Sequence, residues 1–303
     1  MKKVIALGGG SAKFAFVIFR AMRPRQWLKN TLVFIPLLAA HSHNIYLWGK
    51  CIVSFVSFCL CASSAYLLND VLDIRHDRTH PRKKFRPIAA GLVSRKNAIF
   101  ASMFLGGVGL FLASSSEREL FKIVGLYFVL TVLYSMKLKK MLLIDVAVLG
   151  GLYTIRMIGG AAATGIHISF WLLSFSFFLF LSLALLKRHN ELLRLESENL
   201  SNVPGRGYLS SDSIPVAIFG IACAVISTLV LMLYYNSGDV AKLYPSPMPL
   251  FFIIPFFFIW IARLWLLSFR GKIDEDPLLH VSKDVESILI IAICIILAGV
   301  ATI

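Results

Sequence analysis

Four polar side chains at the end of a long apolar stretch have the spacing of a metal site. Asn69, Asp70, Asp73 and Asp77 would fall within an arc of roughly 100° over about 12 Å of an ideal helix. Carboxylates this close repel one another unless a cation lies between them. Mg²⁺ takes one or two carboxylates and completes its shell with water and phosphate oxygens. Because acids beside a lipid-facing helix are costly to keep, the spacing predicts a Mg²⁺ site rather than a solvated helix end.

Basic clusters accompany these acids. The chain continues directly as His80-Pro81-Arg82-Lys83-Lys84-Phe85-Arg86, and further clusters cover residues 23–30, 134–139 and 187–191. Each alone has a simpler explanation: a membrane anchor, lysines at a helix end, or helical pairing of Glu191 with Lys187 or Arg194. Together they predict binding of a substrate with several phosphates.

The elements that position these clusters are membrane helices. The 303 residues are 58% hydrophobic and 13% aromatic, which indicates an integral membrane protein. Apolar stretches long enough to span a bilayer predict nine helices, at residues 28–47, 50–72, 97–115, 120–137, 141–164, 169–187, 214–235, 249–269 and 285–302.

The charge distribution predicts the orientation. The net charge is +15, and in a nine-span arrangement nearly all Lys and Arg fall on the side of the N-terminus, which is therefore expected in the cytoplasm. Cations at lipid headgroup level argue for contact with the bilayer and against nucleic-acid binding. We expect a retained N-terminal segment (1–19) and a single transmembrane domain (20–303) with cytoplasmic cap loops at about 73–96 and 187–213.

Few charged residues lie inside the predicted spans. Asp145 and Arg156 must line a water-filled cavity or be paired within the bundle. For Arg156, a structural ion pair and a contact with substrate are equally supported. Arg263 is near its helix end, where a structural role is favoured. The five cysteines have no metal-ligand spacing and are interpreted as small core residues.

The motifs resemble one known family. Asn69-Asp70-x-x-Asp73-x-x-x-Asp77 after the second helix resembles the first aspartate motif of the UbiA superfamily of intramembrane prenyltransferases. Further segments resemble its decaprenyl-phosphate phosphoribosyltransferase branch: Arg23-Pro24-x-Gln26-Trp27-x-Lys29-Asn30, residues 77–91, Tyr134-Ser135-x-x-Leu138-Lys139 and Lys187-Arg188-x-x-Glu191-Leu192. The second aspartate motif of aromatic prenyltransferases is replaced by Lys187, Arg188 and Glu191. The segment 204–208 has no assigned role.

This resemblance implies an all-α membrane enzyme with nine helices around a central cavity. It would transfer 5-phosphoribose from phosphoribosyl pyrophosphate to a polyprenyl phosphate in the bacterial cytoplasmic membrane, with the site facing the cytoplasm. Asn69, Asp70, Asp73 and Asp77 would hold Mg²⁺, and the three aspartates would be catalytic. The substrate-binding residues would be Lys29, Asn69, Arg82, Lys83, Arg86, Tyr134, Lys139, Lys187, Arg188 and Glu191.

Two other functions fit the same residues. A prenyl group could move from a prenyl diphosphate to an aromatic or other acceptor, or a transporter could use the basic residues only to bind lipid headgroups. Either role is compatible with a homo-oligomer.

Overall fold

The regular structure of the chain is helical. The computed structural model describes residues 10–79, 83–198, 206–273 and 276–303, and this part of the chain contains no β-strand. Its α-helices are α1 (Gly10–Ala21), α2 (Ile35–Ala39), α3 (Ile45–Leu72), α4 (Ile74–Thr79), α5 (Arg95–Ser116), α6 (Arg118–Met136), α7 (Ile144–Thr164), α8 (Phe170–Ser197), α9 (Ser213–Tyr235), α10 (Gly238–Leu243), α11 (Met248–Phe269), α12 (Pro277–Val281) and α13 (Val285–Ala301). Short 3₁₀ helices cover Pro24–Phe34, Lys83–Phe85, Leu138–Lys140 and Ser210–Asp212.

Among the described residues, seven helices are long and apolar enough to cross a membrane. They are α3, α5, α6, α7, α8, α11 and α9 with its preceding 3₁₀ turn. The seven predicted spans between residues 50 and 269 are thus confirmed as helices. The predicted last span is α13, an apolar helix of 17 residues, somewhat shorter than the ~20 residues that cross a bilayer without tilt.

The predicted first span, residues 28–47, is wrong as a single helix. The chain forms the 3₁₀ helix Pro24–Phe34, continues into α2, and turns at His41 with φ of 48°. Pro36 has no N–H to donate to a preceding turn. The side chains of α3 bind this segment instead, since Trp27 Nε1 donates to Ser63 Oγ at 3.0 Å and Asn30 Nδ2 donates to Cys59 Sγ at 3.1 Å.

Helix α8 continues ten residues beyond its predicted end at residue 187. Leu192 and Leu195 are buried, so the apolar face of the helix extends into the polar segment. Arg188 and Glu191 pair one turn apart on the same helix. The predicted cap loop 187–213 therefore begins as helix.

The chain divides into two compact units, and α7 contributes to both. The first unit comprises residues 1–137 and 155–167. At its centre α3 packs against α5 and α6, where Ser64 Oγ donates to the Ser102 carbonyl at 2.7 Å. A buried cluster at one end of α3 includes Leu67, Ile74 and Ile88. This cluster anchors the segment that follows α4.

The second unit comprises residues 138–154 and 168–303. Helix α8 packs against α9, and α11 packs against α9 and α13. Trp265 Nε1 donates to Ser182 Oγ at 3.1 Å. Arg263 pairs with Asp284 at 2.6 Å and with Glu286 at 2.5 Å, which agrees with the structural role favoured for this arginine.

Glycines of α7 provide a test of helix packing. An added Cβ at Gly160 would lie 1.8 Å from the Val33 carbonyl oxygen, whereas one at Gly151 would meet nothing within 4 Å. We expect Gly160→Ala to destabilise the protein by at least ~1–3 kcal/mol, the usual cost of overpacking. Gly151→Ala should leave the thermal midpoint in detergent unchanged or raise it. Equal midpoints for both variants would contradict this packing.

Candidate functional site

Two of the predicted metal ligands converge at the end of α3. Asp70 is the buried last-turn residue of α3, and Asp77 is buried on α4. Arg86 Nη1 lies 3.2 Å from Asp70 Oδ1 and 2.7 Å from Asp77 Oδ2. The two carboxylates are therefore close enough to share one cation, although α3 ends at Leu72 and Asp77 lies on α4, not on the single helix face that the spacing predicted.

Arg23 is a second partner of Asp70, with which it forms an ion pair. Its backbone is left-handed, with φ of 56°, and its guanidinium carbon lies 4.9 Å from the ring centre of Tyr66. A non-glycine residue in this region is strained, so surrounding contacts must hold it. The sequence placed Arg23 among the cations but gave no signal that it binds Asp70.

The segment after α4 positions Arg86. Arg86 N donates to the Lys83 carbonyl at 2.9 Å, and Ala90 N donates to the Arg86 carbonyl at 2.8 Å. Gly91, with φ of 77°, supplies a left-handed turn. Ile88 lies in the buried cluster of the first unit. Lys83 is half-buried at the start of this segment, which therefore carries two predicted substrate-binding cations.

The other predicted residues of this motif lie at the end of α3 or outside the described residues. Asn69 and Asp73 are half-buried, and Asp73 ends α3. Arg82 lies outside the described residues. Within the ranges the structure describes, no three His, Cys, Asp or Glu side chains come together as a metal-binding group. The carboxylates of Asp70 and Asp77 are thus the core of the candidate metal site.

A buried polar network also belongs to the first unit. Arg156 is 5% exposed; its Nε donates to Asn30 Oδ1 at 2.7 Å and its Nη2 donates to the Tyr127 hydroxyl at 2.9 Å. Asn30 follows Lys29, a predicted phosphate ligand that is itself 8% exposed. Arg156 therefore helps to hold the 3₁₀ segment that carries Lys29.

A separate ionic cluster lies in the second unit. The wholly buried Arg188 pairs with the wholly buried Asp145 and with Glu191. Arg206 lies 3.4 Å from both carboxylates. Asp145 is thus paired within the bundle, one of its two predicted roles. Glu191 pairs with Arg188 and Arg206, whereas Lys187 lies 4.0 Å from Asp276 and Arg194 pairs with Glu198.

Tyr208 completes this cluster and was not anticipated. Its hydroxyl donates to Asp145 Oδ1 at 2.7 Å and accepts from Leu143 N at 3.1 Å. Burial and the hydrogen bond to Asp145 raise the pKa of Tyr208 above its ordinary value, so the phenol stays protonated and can donate. The sequence could not show this contact because 63 residues separate the partners.

The remaining predicted residues belong to α8, to the 3₁₀ turn after α6 and to the last turn of α6. Lys187 Nζ is 4.0 Å from Asp276 Oδ2 in the second unit. Lys139 lies in the 3₁₀ turn Leu138–Lys140 of the same unit. Tyr134 is half-buried in the last turn of α6, in the first unit. Chemically, the first unit offers two carboxylates with guanidiniums, and the second unit offers lysines around a paired ionic cluster.

The chain is similar in sequence to several known proteins, and the similarity covers a different fraction of the chain in each case. The chain is 33% identical over 285 residues to nodulation protein NoeC of Azorhizobium caulinodans, covering 93% of the chain and 92% of NoeC. It is 36% identical over 268 residues to y4nM of Sinorhizobium fredii, covering 88% of the chain but 52% of y4nM. It is 37% identical over 180 residues to decaprenyl-phosphate phosphoribosyltransferase of Mycolicibacterium smegmatis, covering 58% of the chain and 57% of that enzyme. The matched region thus spans about half the length of the last two relatives.

The fold has a counterpart among solved structures. A UbiA homolog from Archaeoglobus fulgidus bound to GPP and Mg²⁺ superposes with a TM-score of 0.66 at 15% identity, covering 93% of this chain and 99% of the homolog. The model of the UbiA prenyltransferase family matches residues 30–275. The chain therefore belongs to the UbiA prenyltransferase family of multi-pass membrane transferases.

Proposed function

We propose that this chain transfers 5-phosphoribose from phosphoribosyl pyrophosphate to a polyprenyl phosphate, at the cytoplasmic side of a bacterial inner membrane. The convergence of Asp70 and Asp77 on the guanidiniums of Arg23 and Arg86 carries the proposal. A donor with several phosphates needs both a carboxylate-held divalent cation and guanidinium or ammonium partners. The 37% identity to decaprenyl-phosphate phosphoribosyltransferase favours this donor.

The acids of the first unit fit Mg²⁺. Asp70 and Asp77 already share one cation, the guanidinium of Arg86, and two carboxylates are the usual protein contribution to a Mg²⁺ site. Asn69 and Asp73 would complete the set. The bound ion would stabilise negative charge on the leaving pyrophosphate. Mg²⁺ bound to the A. fulgidus homolog supports the use of a divalent metal in this family.

Other residues of the chain would bind the substrate phosphates, orient them and neutralise their charge. In the first unit, Arg86, Lys83, Arg82 and Lys29 would bind donor phosphate oxygens, and Tyr134 would line the substrate site. In the second unit, Lys139, Lys187, Arg188 and Glu191 would form or support a phosphate site. Because Arg188 is wholly buried, it would support this site indirectly, through its ion pair with Glu191.

The transfer itself needs no general base. A phosphate oxygen of the lipid attacks the anomeric carbon of ribose, the bond from that carbon to the pyrophosphate oxygen breaks, and pyrophosphate leaves with the electron pair. A phosphate monoester is largely a dianion near neutral pH, because its second pKa is about 6. Alignment and charge neutralisation therefore provide most of the catalysis.

Prenyl transfer is the second candidate function. It is favoured by the family description and by the GPP bound to the A. fulgidus homolog. Both reactions would use the carboxylates of the first unit, so they differ in donor and not in metal. A transporter of lipid phosphates would use the same cations but release its substrate chemically unchanged.

The donor can be identified directly. Purified protein in detergent with Mg²⁺ should move radiolabel from ribose-labelled phosphoribosyl pyrophosphate into an organic-extractable polyprenyl product. The matched reaction lacks the polyprenyl phosphate and should leave all label in water. Label that stays water-soluble, while a prenyl diphosphate is consumed with an aromatic acceptor, would establish the second candidate instead.

The carboxylates should be needed for turnover. We expect Asp70→Asn, Asp73→Asn and Asp77→Asn each to lower kcat/KM by about 10²–10³-fold, the usual loss when transition-state charge stabilisation is removed. Chelation by EDTA should abolish turnover and added Mg²⁺ should restore it. Asp239→Asn is the control, because Asp239 is 57% exposed at its side chain and lies on α10. Full activity of a variant that carries all three substitutions would contradict the metal assignment.

The guanidinium of Arg86 and the proposed metal should compete for the carboxylates of Asp70 and Asp77. Arg86→Gln removes the guanidinium shared by Asp70 and Asp77, so we expect a loss of ~1–3 kcal/mol of stability, typical of hydrogen bonds to buried charges. Added Mg²⁺ should raise the thermal midpoint of this variant more than that of the wild type. Arg75→Gln, at an exposed residue of α4, is the matched control. An unchanged midpoint with and without Mg²⁺ would contradict the shared-cation arrangement.

A further inference from the structure

The segment Arg206-Gly207-Tyr208 is not used in the reaction described above. We propose that Tyr208, Gly207 and Asp145 are positioning residues that fix the turn of residues 138–143, so that Lys139 can bind a phosphate monoester of the substrates. This inference rests on the proposed function, because it assigns a task to a lysine of that reaction. All the contacts that carry it lie within the second unit.

The hydroxyl of Tyr208 joins the turn to α7. It donates to Asp145 Oδ1 at 2.7 Å and accepts from the backbone N–H of Leu143 at 3.1 Å. Tyr208 is 2% exposed and Asp145 is wholly buried. A buried hydroxyl with both a donor and an acceptor partner is fixed in orientation, so the end of the turn is fixed as well.

The turn itself is strained where Tyr208 binds it. Leu143 has φ of 61°, a left-handed conformation that costs about 1–3 kcal/mol for a non-glycine residue. Such strain persists only when surrounding contacts determine the backbone. The hydrogen bond from Leu143 N to the Tyr208 hydroxyl is one such contact.

Gly207 lies close to the backbone of the turn at Lys140 and Leu142. An added Cβ there would be 2.6 Å from the Lys140 carbonyl oxygen and 3.4 Å from Leu142 N. Because both neighbours are backbone atoms, a side chain at this position must push the turn away. The turn is thus held at Lys140 by Gly207 and at Leu143 by Tyr208, on the C-terminal side of Lys139.

Arg188 keeps the buried end of this arrangement electrically neutral. Asp145 accepts from Arg188 as well as from Tyr208, and Arg206 lies 3.4 Å from the same carboxylate. Because its guanidinium is wholly buried, Arg188 stabilises Asp145 and does not itself reach the substrate. The cation that the fixed turn positions is Lys139, which is half-buried. An ammonium is a compact point charge suited to phosphate, which the 5-phosphate of the donor and the lipid phosphate both offer.

A kinetic cycle tests the proposal. KM for phosphoribosyl pyrophosphate and KM for polyprenyl phosphate are measured separately for wild type, Tyr208→Phe, Lys139→Gln and the double variant. We expect Tyr208→Phe to raise one KM by about tenfold, the effect of one lost hydrogen bond to a charged group, while kcat changes less than twofold. The substrate whose KM rises is the source of the phosphate.

The double variant separates positioning from general stability. If Tyr208 acts through Lys139, Tyr208→Phe should have no further effect on KM in the Lys139→Gln background. KM does not depend on the fraction of folded enzyme, so partial unfolding cannot imitate this result. Gly207→Ala should raise the same KM. The controls are Gly238→Ala, which meets nothing within 4 Å, and Tyr46→Phe, at an exposed residue.

The outcomes distinguish the two proposals. A wild type that transfers no label from phosphoribosyl pyrophosphate means that the proposed function fails. An active wild type in which Tyr208→Phe leaves both KM values unchanged overturns the positioning role. Equal effects of Tyr208→Phe with and without Lys139 overturn it as well, because they show that the tyrosine acts independently of the lysine.

Discussion

Burial of carboxylates at the end of a membrane helix is the constraint on which the first unit depends. An ionised acid removed from water needs cationic or hydrogen-bonding partners, and Asp70, at 1% exposure, has Arg23 and Arg86. Arg23, which pairs with Asp70, is itself left-handed and directly precedes the 3₁₀ helix Pro24–Phe34. Supplying Arg86 requires the folded segment around Gly91 and its anchor in the buried cluster of the first unit. Two stretches of irregular backbone thus follow from one buried charge.

The second unit meets the same constraint at Asp145. Its partners are Arg188, from the C-terminal half of α8, and Arg206 and Tyr208, from the segment before α9. A buried pair adds little net stability over apolar packing, but removal of one partner is costly because the other charge remains buried. The cluster therefore specifies where the connecting segments lie more than it stabilises the helices. A segment held in this way can carry a binding residue such as Lys139.

The sequence predicted what depends on local periodicity and composition. Seven spans and the family follow from apolar stretches and from the motif at Asn69–Asp77, but the single helix predicted to carry that motif is interrupted at Asp73. Pairings between distant residues leave no such signal. The links from Arg23 to Asp70 and from Tyr208 to Asp145 were therefore missed. The prediction of the first span is wrong because hydropathy cannot distinguish a 3₁₀ segment bound by side chains of α3 from a membrane-spanning helix. The predicted end of α8 is too early because polar residues after Lys187 outweigh the apolar signal of Leu192 and Leu195.

The arginines around Asp70 and Asp77 also determine how a metal and a phosphate could bind. The carboxylates are neutralised by guanidiniums, so a divalent ion bound as proposed would have to replace Arg86. Displacing a cation into a low-dielectric site is unfavourable unless an anion receives it. The phosphates of the donor are that anion, and a guanidinium binds them through the same nitrogens. Metal and donor would thus each favour the binding of the other, and the reciprocity of linked equilibria makes the two effects equal. The acids and the arginines of the first unit would thus act together, with a guanidinium binding donor phosphate when the metal binds the carboxylates.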